Sequence, residues 1–251
     1  MGAGEFGDVL FGRLCCNSQA VAIKALRKDK TDMFALLQEA FILQLASCTE
    51  FSPRYIGLAP FWLLGDEFQE WAIILEFVGD RKKARPYDFR QTLRLTQHSL
   101  RDSLDWIYTS AKICQAVSCF HSMRMLLNDI KADNILLRPT GHGYHPVFID
   151  FGLASIGEGI TLAMDVNDRN KAKILKEYSH IAPEVLFGGE TSAASDVFSL
   201  GKALSLVAEV LRLQPFTALV NQCLSWNTSE RPTAYQLIDS MQWLTRSLCQ
   251  Q

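Results

Sequence analysis

Between Asp129 and Asp150 the sequence spells out a hairpin with hard oxygen ligands at its base. Asp129 and Asn134 precede the apolar run Ile135-Leu136-Leu137, and Asp150 follows Val147-Phe148-Ile149. The intervening Arg138-Pro139-Thr140-Gly141-His142-Gly143 carries turn chemistry, so antiparallel pairing of the two runs returns Asp150 to the neighbourhood of Asn134. Carboxylate and amide oxygens suit Mg²⁺, which takes one or two protein carboxylates and completes its octahedron with water and substrate phosphates. The hairpin therefore points to a metal-phosphate site, and the rest of the chain must fold around it.

With 251 residues, 48% of them hydrophobic, the chain can bury a full core as one large domain or as two lobes sharing a cleft. A formal net charge of −2 supplies no global attraction to nucleic acid or anionic lipid, so neither is an expected partner. The seven cysteines show no CxxC spacing and read as reduced and mostly buried. Apolar stretches such as Trp71-Ala72-Ile73-Ile74-Leu75 are far too short to span a membrane and no signal peptide precedes them, so a soluble, cytoplasmic segment is expected.

The pattern predicts an α+β chain. Strands are expected over Val9–Leu14, Val21–Leu26, around Trp62–Leu64 and over Trp71–Phe77, with a helix from about Asp32 to Leu45. A linker at Gly79–Lys83 leads to a mainly helical part, with helices Leu104–His121, Ala194–Leu213, Ala218–Leu224 and one after Pro232.

Gly2-Ala3-Gly4-Glu5-Phe6-Gly7-Asp8-Val9 is a GxGxxGxV run, in which missing side chains let backbone N–H groups approach phosphate oxygens. Alone it reads first as a glycine-rich hairpin turn. In Val21-Ala22-Ile23-Lys24 the period of two places Ala22 and Lys24 on one face and Val21 and Ile23 on the other, the core face. Glu39 lies on the apolar stripe between Leu36 and Leu43, where a carboxylate must be exposed at the margin or meet a cation; Lys24 is the nearest candidate.

In their order along the chain these motifs resemble the eukaryotic protein kinase family, of the serine/threonine type. The resemblance rests on the Gly-rich run, Val21-Ala22-Ile23-Lys24, Glu39, Asp129-x-Lys131-x-x-Asn134, Asp150-Phe151-Gly152, Ala182-Pro183-Glu184 and Asp196-Val197-Phe198-Ser199-Leu200-Gly201. It implies one catalytic domain over 1–251, with a small β-rich N-lobe and hinge at 1–78 and a helical C-lobe at 79–251. It implies ATP and Mg²⁺, and protein substrates. By resemblance Gly2, Gly4 and Gly7 would cover the phosphates, Lys24 would hold them while paired to Glu39, and Asp150 and Asn134 would bind metal. Asp129 would accept the substrate hydroxyl's proton, and Lys131 would neutralise the transferring group. Glu76-Phe77-Val78 looks like the hinge, with adenine bonded by its backbone; Leu75 stands in the gatekeeper place, and Val9, Ala22 and Leu136 would sandwich the ring. Glu184 and Arg231 resemble the family's buried ion pair, and Asp196 would accept backbone N–H groups of the catalytic loop or cap its helix.

The departures are equally specific. The family's His-Arg-Asp reads Leu127-Asn128-Asp129, and loss of that Arg implies less dependence on a phosphorylated activation segment, because Asn128 offers phosphate no charge-assisted bond. Glu177 stands where the family usually has a Thr. Between Leu211 and Ala218 the chain passes almost directly from helix to helix, and Met1-Gly2 starts inside the Gly-rich run, so the first strand is expected to be nearly absent and the sequence reads as a fragment. Arg81-Lys82-Lys83-Ala84-Arg85, with Arg90 and Arg94, reads as a solvated loop or a selector of acidic substrates; His142 and His145 have no assigned role. Two rival functions stay open: a catalytically weak kinase-like scaffold that binds partners, with or without ATP, and a small-molecule kinase.

Overall fold

The computed structural model of the protein describes residues 2–4, 7–26, 33–61, 70–95, 100–162, 166 and 170–250. Its N-terminal part is a five-stranded antiparallel sheet in the order β1-β2-β3-β5-β4, built from β1 (Gly2–Gly4), β2 (Gly7–Arg13), β3 (Ala20–Leu26), β4 (Tyr55–Phe61) and β5 (Glu70–Glu76). Helix α1 (Met33–Ala46) lies between β3 and β4 in the chain. The three-residue β1 pairs Gly2 with Val9 and Gly4 with Gly7, which agrees with a nearly absent first strand. The strand expected around Trp62–Leu64 falls outside the described residues.

After β5 the chain forms a small hairpin, β6 (Gly79–Asp80) with β7 (Arg85–Pro86), where the sequence suggests a plain linker. Asp80 closes the turn by accepting the N–H groups of Lys82 and Lys83, and the Arg13 guanidinium donates to the Arg81 carbonyl at 3.4 Å. Helices α2 (Phe89–Arg94) and α3 (Leu100–Ser122) follow, then β8 (Met125–Leu126). The anticipated hairpin is present as β9 (Ile135–Pro139) and β10 (Tyr144–Phe148), two residues longer on each strand than the apolar triplets suggested, with Leu136 opposite Val147. β11 (Ser155–Ile156), α4 (Lys171–Glu177) and α5 (Pro183–Leu186) lead to α6 (Ala193–Leu211), α7 (Gln214–Cys223) and α8 (Ala234–Cys249). Helices α2, α4 and α5 carry no sequence forecast. Among the described residues no helix is long and apolar enough to cross a membrane.

One core joins both parts: Leu36 and Leu43 of α1, Ile73 and Leu75 of β5, Trp106 and Phe120 of α3, Phe151, Val207 of α6 and Met241 of α8 belong to a single cluster of buried residues. Phe120 meets Phe148 and Phe151 edge-on, at 5.8 and 5.6 Å between ring centroids, so α3 clamps both the hairpin and the residue after Asp150. Helices α6 and α7 are separated only by Arg212 and Leu213; Arg212 turns the chain at φ 53°, and Gly201 permits the close approach, since a Cβ there would lie 2.6 Å from Cys223 Cβ. The cysteines are free as expected but not mostly buried: Cys114 and Cys223 are, whereas Cys15 and Cys16 sit exposed on the β2–β3 turn and Cys48 and Cys249 are also exposed.

Asp196 is the polar node of this core, 1% exposed. The helix cap is Ser192, through a capping box with Ser195, so Asp196 one turn further in is free for a tertiary role. Its two oxygens accept the backbone N–H groups of Leu127 and Asn128, each at 2.8 Å, with His121 Nε2 at 2.9 Å. Asn128 adopts φ 63°, a left-handed conformation that Asn tolerates and these bonds hold. Asp196→Ala leaves two buried N–H groups unpaired and is expected to cost about 2–4 kcal/mol in urea unfolding. Asp196→Asn should recover part of that, and a cost below about 1 kcal/mol would mean that water replaces the carboxylate.

Candidate active site

Strand alternation and the α1 stripe bring Lys24 and Glu39 together. Lys24 stands opposite Val9 on β2 and Ile73 on β5, and its Nζ donates to Glu39 Oε1 at 2.5 Å and to Asp150 Oδ1 at 3.0 Å. Both members of the first pair are buried, Lys24 at 7% and Glu39 at 5% exposure. Burial pulls the ammonium's pKa down, but the Glu39 and Asp150 charges outweigh it, so Lys24 is held above its ordinary value and stays charged. Burial pushes the Glu39 carboxyl up, and with the nearby Asp150 charge it outweighs the pull of Lys24 and the Phe151 N–H, so the group is held above its ordinary value.

Asp150 arrives through the β9–β10 hairpin. The Ile149 N–H donates to the Asn134 carbonyl at 3.0 Å, closing the ladder, and the Gly152 N–H donates to Asp150 Oδ1 at 3.2 Å. A 3-10 turn at Ala132–Asn134 folds the Asn134 amide back, so that Nδ2 donates to the Asp129 carbonyl at 3.0 Å and to Asp129 Oδ2 at 2.9 Å. Lys131 Nζ reaches the same Oδ2 at 2.7 Å. Oδ1 is met by His180 Nε2 at 3.2 Å. Burial raises the Asp129 carboxyl, but the bonds from His180 and Lys131 more than offset it and hold the group below the usual carboxylate range.

Val9, Ala22, Lys24, Leu75, Glu76, Val78 and Leu136 line a cleft of about 290 Å³ together with Asp88 and Asp133. Glu76 bonds Arg138 at 3.3 Å through its side chain, while the Val78 backbone has no hydrogen-bond partner among the described residues. Gly2, Gly4 and Gly7 lie on the paired strands β1 and β2; Glu5 and Phe6 lie outside the described residues. A cleft of this size, apolar on most walls and offering free main-chain groups, fits a planar nitrogenous ring. Asp150 Oδ2 and Asn134 Oδ1 likewise carry no hydrogen bond among the described residues, and hard oxygens of that kind fit Mg²⁺. No group of three or more His, Cys, Asp or Glu side chains among the described residues is placed to hold a metal ion.

Around this centre Arg231 binds Glu184 with two bonds, at 2.6 and 2.8 Å, and also donates to the carbonyls of Ser225 and Ala194. Asn128 Nδ2 donates to the Leu153 carbonyl at 2.8 Å and to Ser155 Oγ at 3.1 Å, while its Oδ1 is buried without a partner among the described residues. Glu177 is exposed at the end of α4, away from Asp129's contacts. Arg90 is paired with Asp133 rather than merely solvated, and His145 ties β10 down by bonding the Glu50 carbonyl and stacking on Phe51. Sequence reasoning missed Asp88 and Asp133 on the cleft wall and His180 at Asp129. Asp88 left a trace as a helix N-cap, accepting the Gln91 N–H; His180 left none, because its contact with Asp129 is purely tertiary.

A family model described as protein kinase domain matches residues 1–217. Among curated proteins, serine/threonine-protein kinase PBL27 of Arabidopsis thaliana is 29% identical over 213 residues, covering 80% of this chain and 36% of its own length. Serine/threonine-protein kinase PBS1 of the same plant is 26% identical over 215 residues, 80% of this chain and 41% of its own. Serine/threonine-protein kinase PknK of Mycobacterium bovis is 33% identical over 124 residues, 49% of this chain and 10% of its own. The chain spans less than half the length of each of these relatives.

The lowered Asp129 pKa has a definite sign in stability. A carboxyl depressed by folding contributes stability that is present above its unfolded value, about 3.9, and lost as pH falls through the folded value. The difference in urea midpoint between the wild type and Asp129→Asn should therefore shrink between pH 7 and strongly acidic solution. An unchanged difference would show that folding leaves this carboxyl where it was.

Proposed function

Since the chain belongs to the protein kinase family, matched over residues 1–217, we propose that it transfers the γ-phosphoryl group of Mg-ATP to serine or threonine hydroxyls of proteins. The observation that carries this reading is Lys24 bonded at once to Glu39 and Asp150, a buried cation poised between the cleft and the hairpin carboxylate. Phosphoryl transfer asks a protein for positioning and charge neutralisation more than for covalent chemistry, and these side chains supply both.

In this reading Val9, Ala22 and Leu136 hold the adenine ring, and the main chain of Glu76 and Val78 bonds its edge. The backbone of Gly2, Gly4 and Gly7 covers the phosphates, and Lys24, kept in place by Glu39, neutralises them. Asp150 and Asn134 would hold Mg²⁺, which when bound supplies positive charge to the phosphate oxygens. Asp129, ionised and within reach of Lys131, takes the proton of the acceptor hydroxyl while Lys131 faces the transferring group. We assign this work to one catalytic domain over 1–251, with the N-lobe ending at Val78, acting on protein substrates in the cytoplasm.

The test is Mg²⁺-dependent transfer of labelled γ-phosphate to generic protein substrates and to the chain itself. Asp129→Asn is expected to lower the rate by about 10²–10⁴-fold with Mg-ATP binding retained, and Asp150→Asn to abolish metal-dependent transfer. Phosphoserine or phosphothreonine that both substitutions remove supports the enzyme; Mg-ATP binding without any transfer by the wild type would favour the scaffold.

A second expectation concerns regulation. The neutral bonds from Asn128 to Leu153 and Ser155, with β11 paired on β8, hold the start of the activation segment without phosphate. Phosphatase treatment should therefore change the transfer rate by no more than about 2-fold, whereas Asn128→Ala should lower it. A rate that collapses on dephosphorylation would show that a phosphorylated residue orders the segment after all.

A further inference from the structure

An ionised carboxylate offers about four acceptor positions, two on each oxygen. On Asp129, Lys131 at 2.7 Å and Asn134 at 2.9 Å fill both positions of Oδ2, and His180 at 3.2 Å fills one of Oδ1. One position, on Oδ1, is left without a partner among the described residues. Because the ionised carboxylate can only accept, the proton of this contact sits on His180 Nε2, which donates.

From this arrangement we propose that His180 is a positioning residue for phosphoryl transfer. It pins Asp129 from the activation segment and leaves a single lone pair of Oδ1 as the place where the acceptor hydroxyl delivers its proton. The inference rests on the phosphotransferase reading and adds to it what sets the direction of approach. As the acceptor oxygen bonds to phosphorus, its proton passes to Oδ1 and the bridging oxygen leaves with the nucleoside diphosphate; His180 neither gains nor loses a proton.

The backbone that presents the imidazole is well anchored. Ile181, Ala182, Val185 and Leu186 form a buried cluster with Phe198 of α6, and the Ile181 N–H closes a turn on the Tyr178 carbonyl at 2.9 Å. The Glu184–Arg231 pair fixes the same stretch from the other side. The activation segment therefore reaches Asp129 through His180, while Glu177, which a like charge would keep away from Asp129, stays exposed. The His180 side chain remains 23% accessible, so an acceptor residue can pack beside it.

Steady-state transfer by His180→Asn and His180→Gln decides the matter, because a Gln amide N–H falls near the place of Nε2 and an Asn amide does not reach it. His180→Asn is expected to lower kcat by ~10- to 100-fold with KM for Mg-ATP unchanged, and His180→Gln to restore the rate to within ~3-fold of the wild type. A thermal shift with Mg-ATP controls for folding of both. If the Asn variant is as fast as the wild type, or the Gln variant as slow as the Asn variant, His180 has no positioning role. A wild type that binds Mg-ATP but transfers nothing overturns the phosphotransferase reading first, and this inference with it.

Discussion

The structure is organised around the cost of burying a cation. Lys24 comes from the sheet, Glu39 from α1 and Asp150 from the end of the hairpin, so three elements that share one apolar core also meet at one ammonium group. A charge so placed is tolerable only while its partners stay within bonding distance. The requirement adds to the apolar packing of α1 on the sheet, and it also couples the two parts of the molecule, because Glu39 shares the N-terminal part with Lys24 whereas Asp150 does not. The 3.0 Å contact to Asp150 is the one that crosses between the parts, while the 2.5 Å contact to Glu39 lies within the N-terminal part.

A second polar node, at Asp196, does for the loop what Lys24 does for the cleft. The carboxylate is buried in α6 and reads no substrate, yet it sets the left-handed turn at Asn128 and so the direction in which Asp129 leaves the backbone. Phe120, stacked edge-on between Phe148 and Phe151, gives apolar support to the same region. Polar bonds aim the side chains and aromatic packing keeps the aim from drifting.

Legibility in the sequence followed the range of each interaction. The β9–β10 hairpin and the facing of Ala22 and Lys24 were readable because they depend on periods of a few residues, and Glu39 because a lone carboxylate on an apolar stripe demands a partner. The β6–β7 hairpin escaped because two-residue strands carry no alternation, and α2 because six residues are too few to display a helical period. The cysteine forecast failed at Cys15 and Cys16, where turn geometry overrode the usual burial of thiols. His180 could not have been found: nothing in Tyr178-Ser179-His180 announces that a residue far along the chain lies opposite Asp129.

Helix α8 lies wholly beyond residue 217, where the family match stops, yet Leu237, Met241 and Leu244 belong to the same buried cluster as Ile107, Ile113 and Val117 of α3. The border drawn by resemblance and the border drawn by solvent are thus different places. A chain cut at the first would strip α3 of its cover and leave an oily trench along its longest helix, inviting aggregation although every side chain of the cleft was still present.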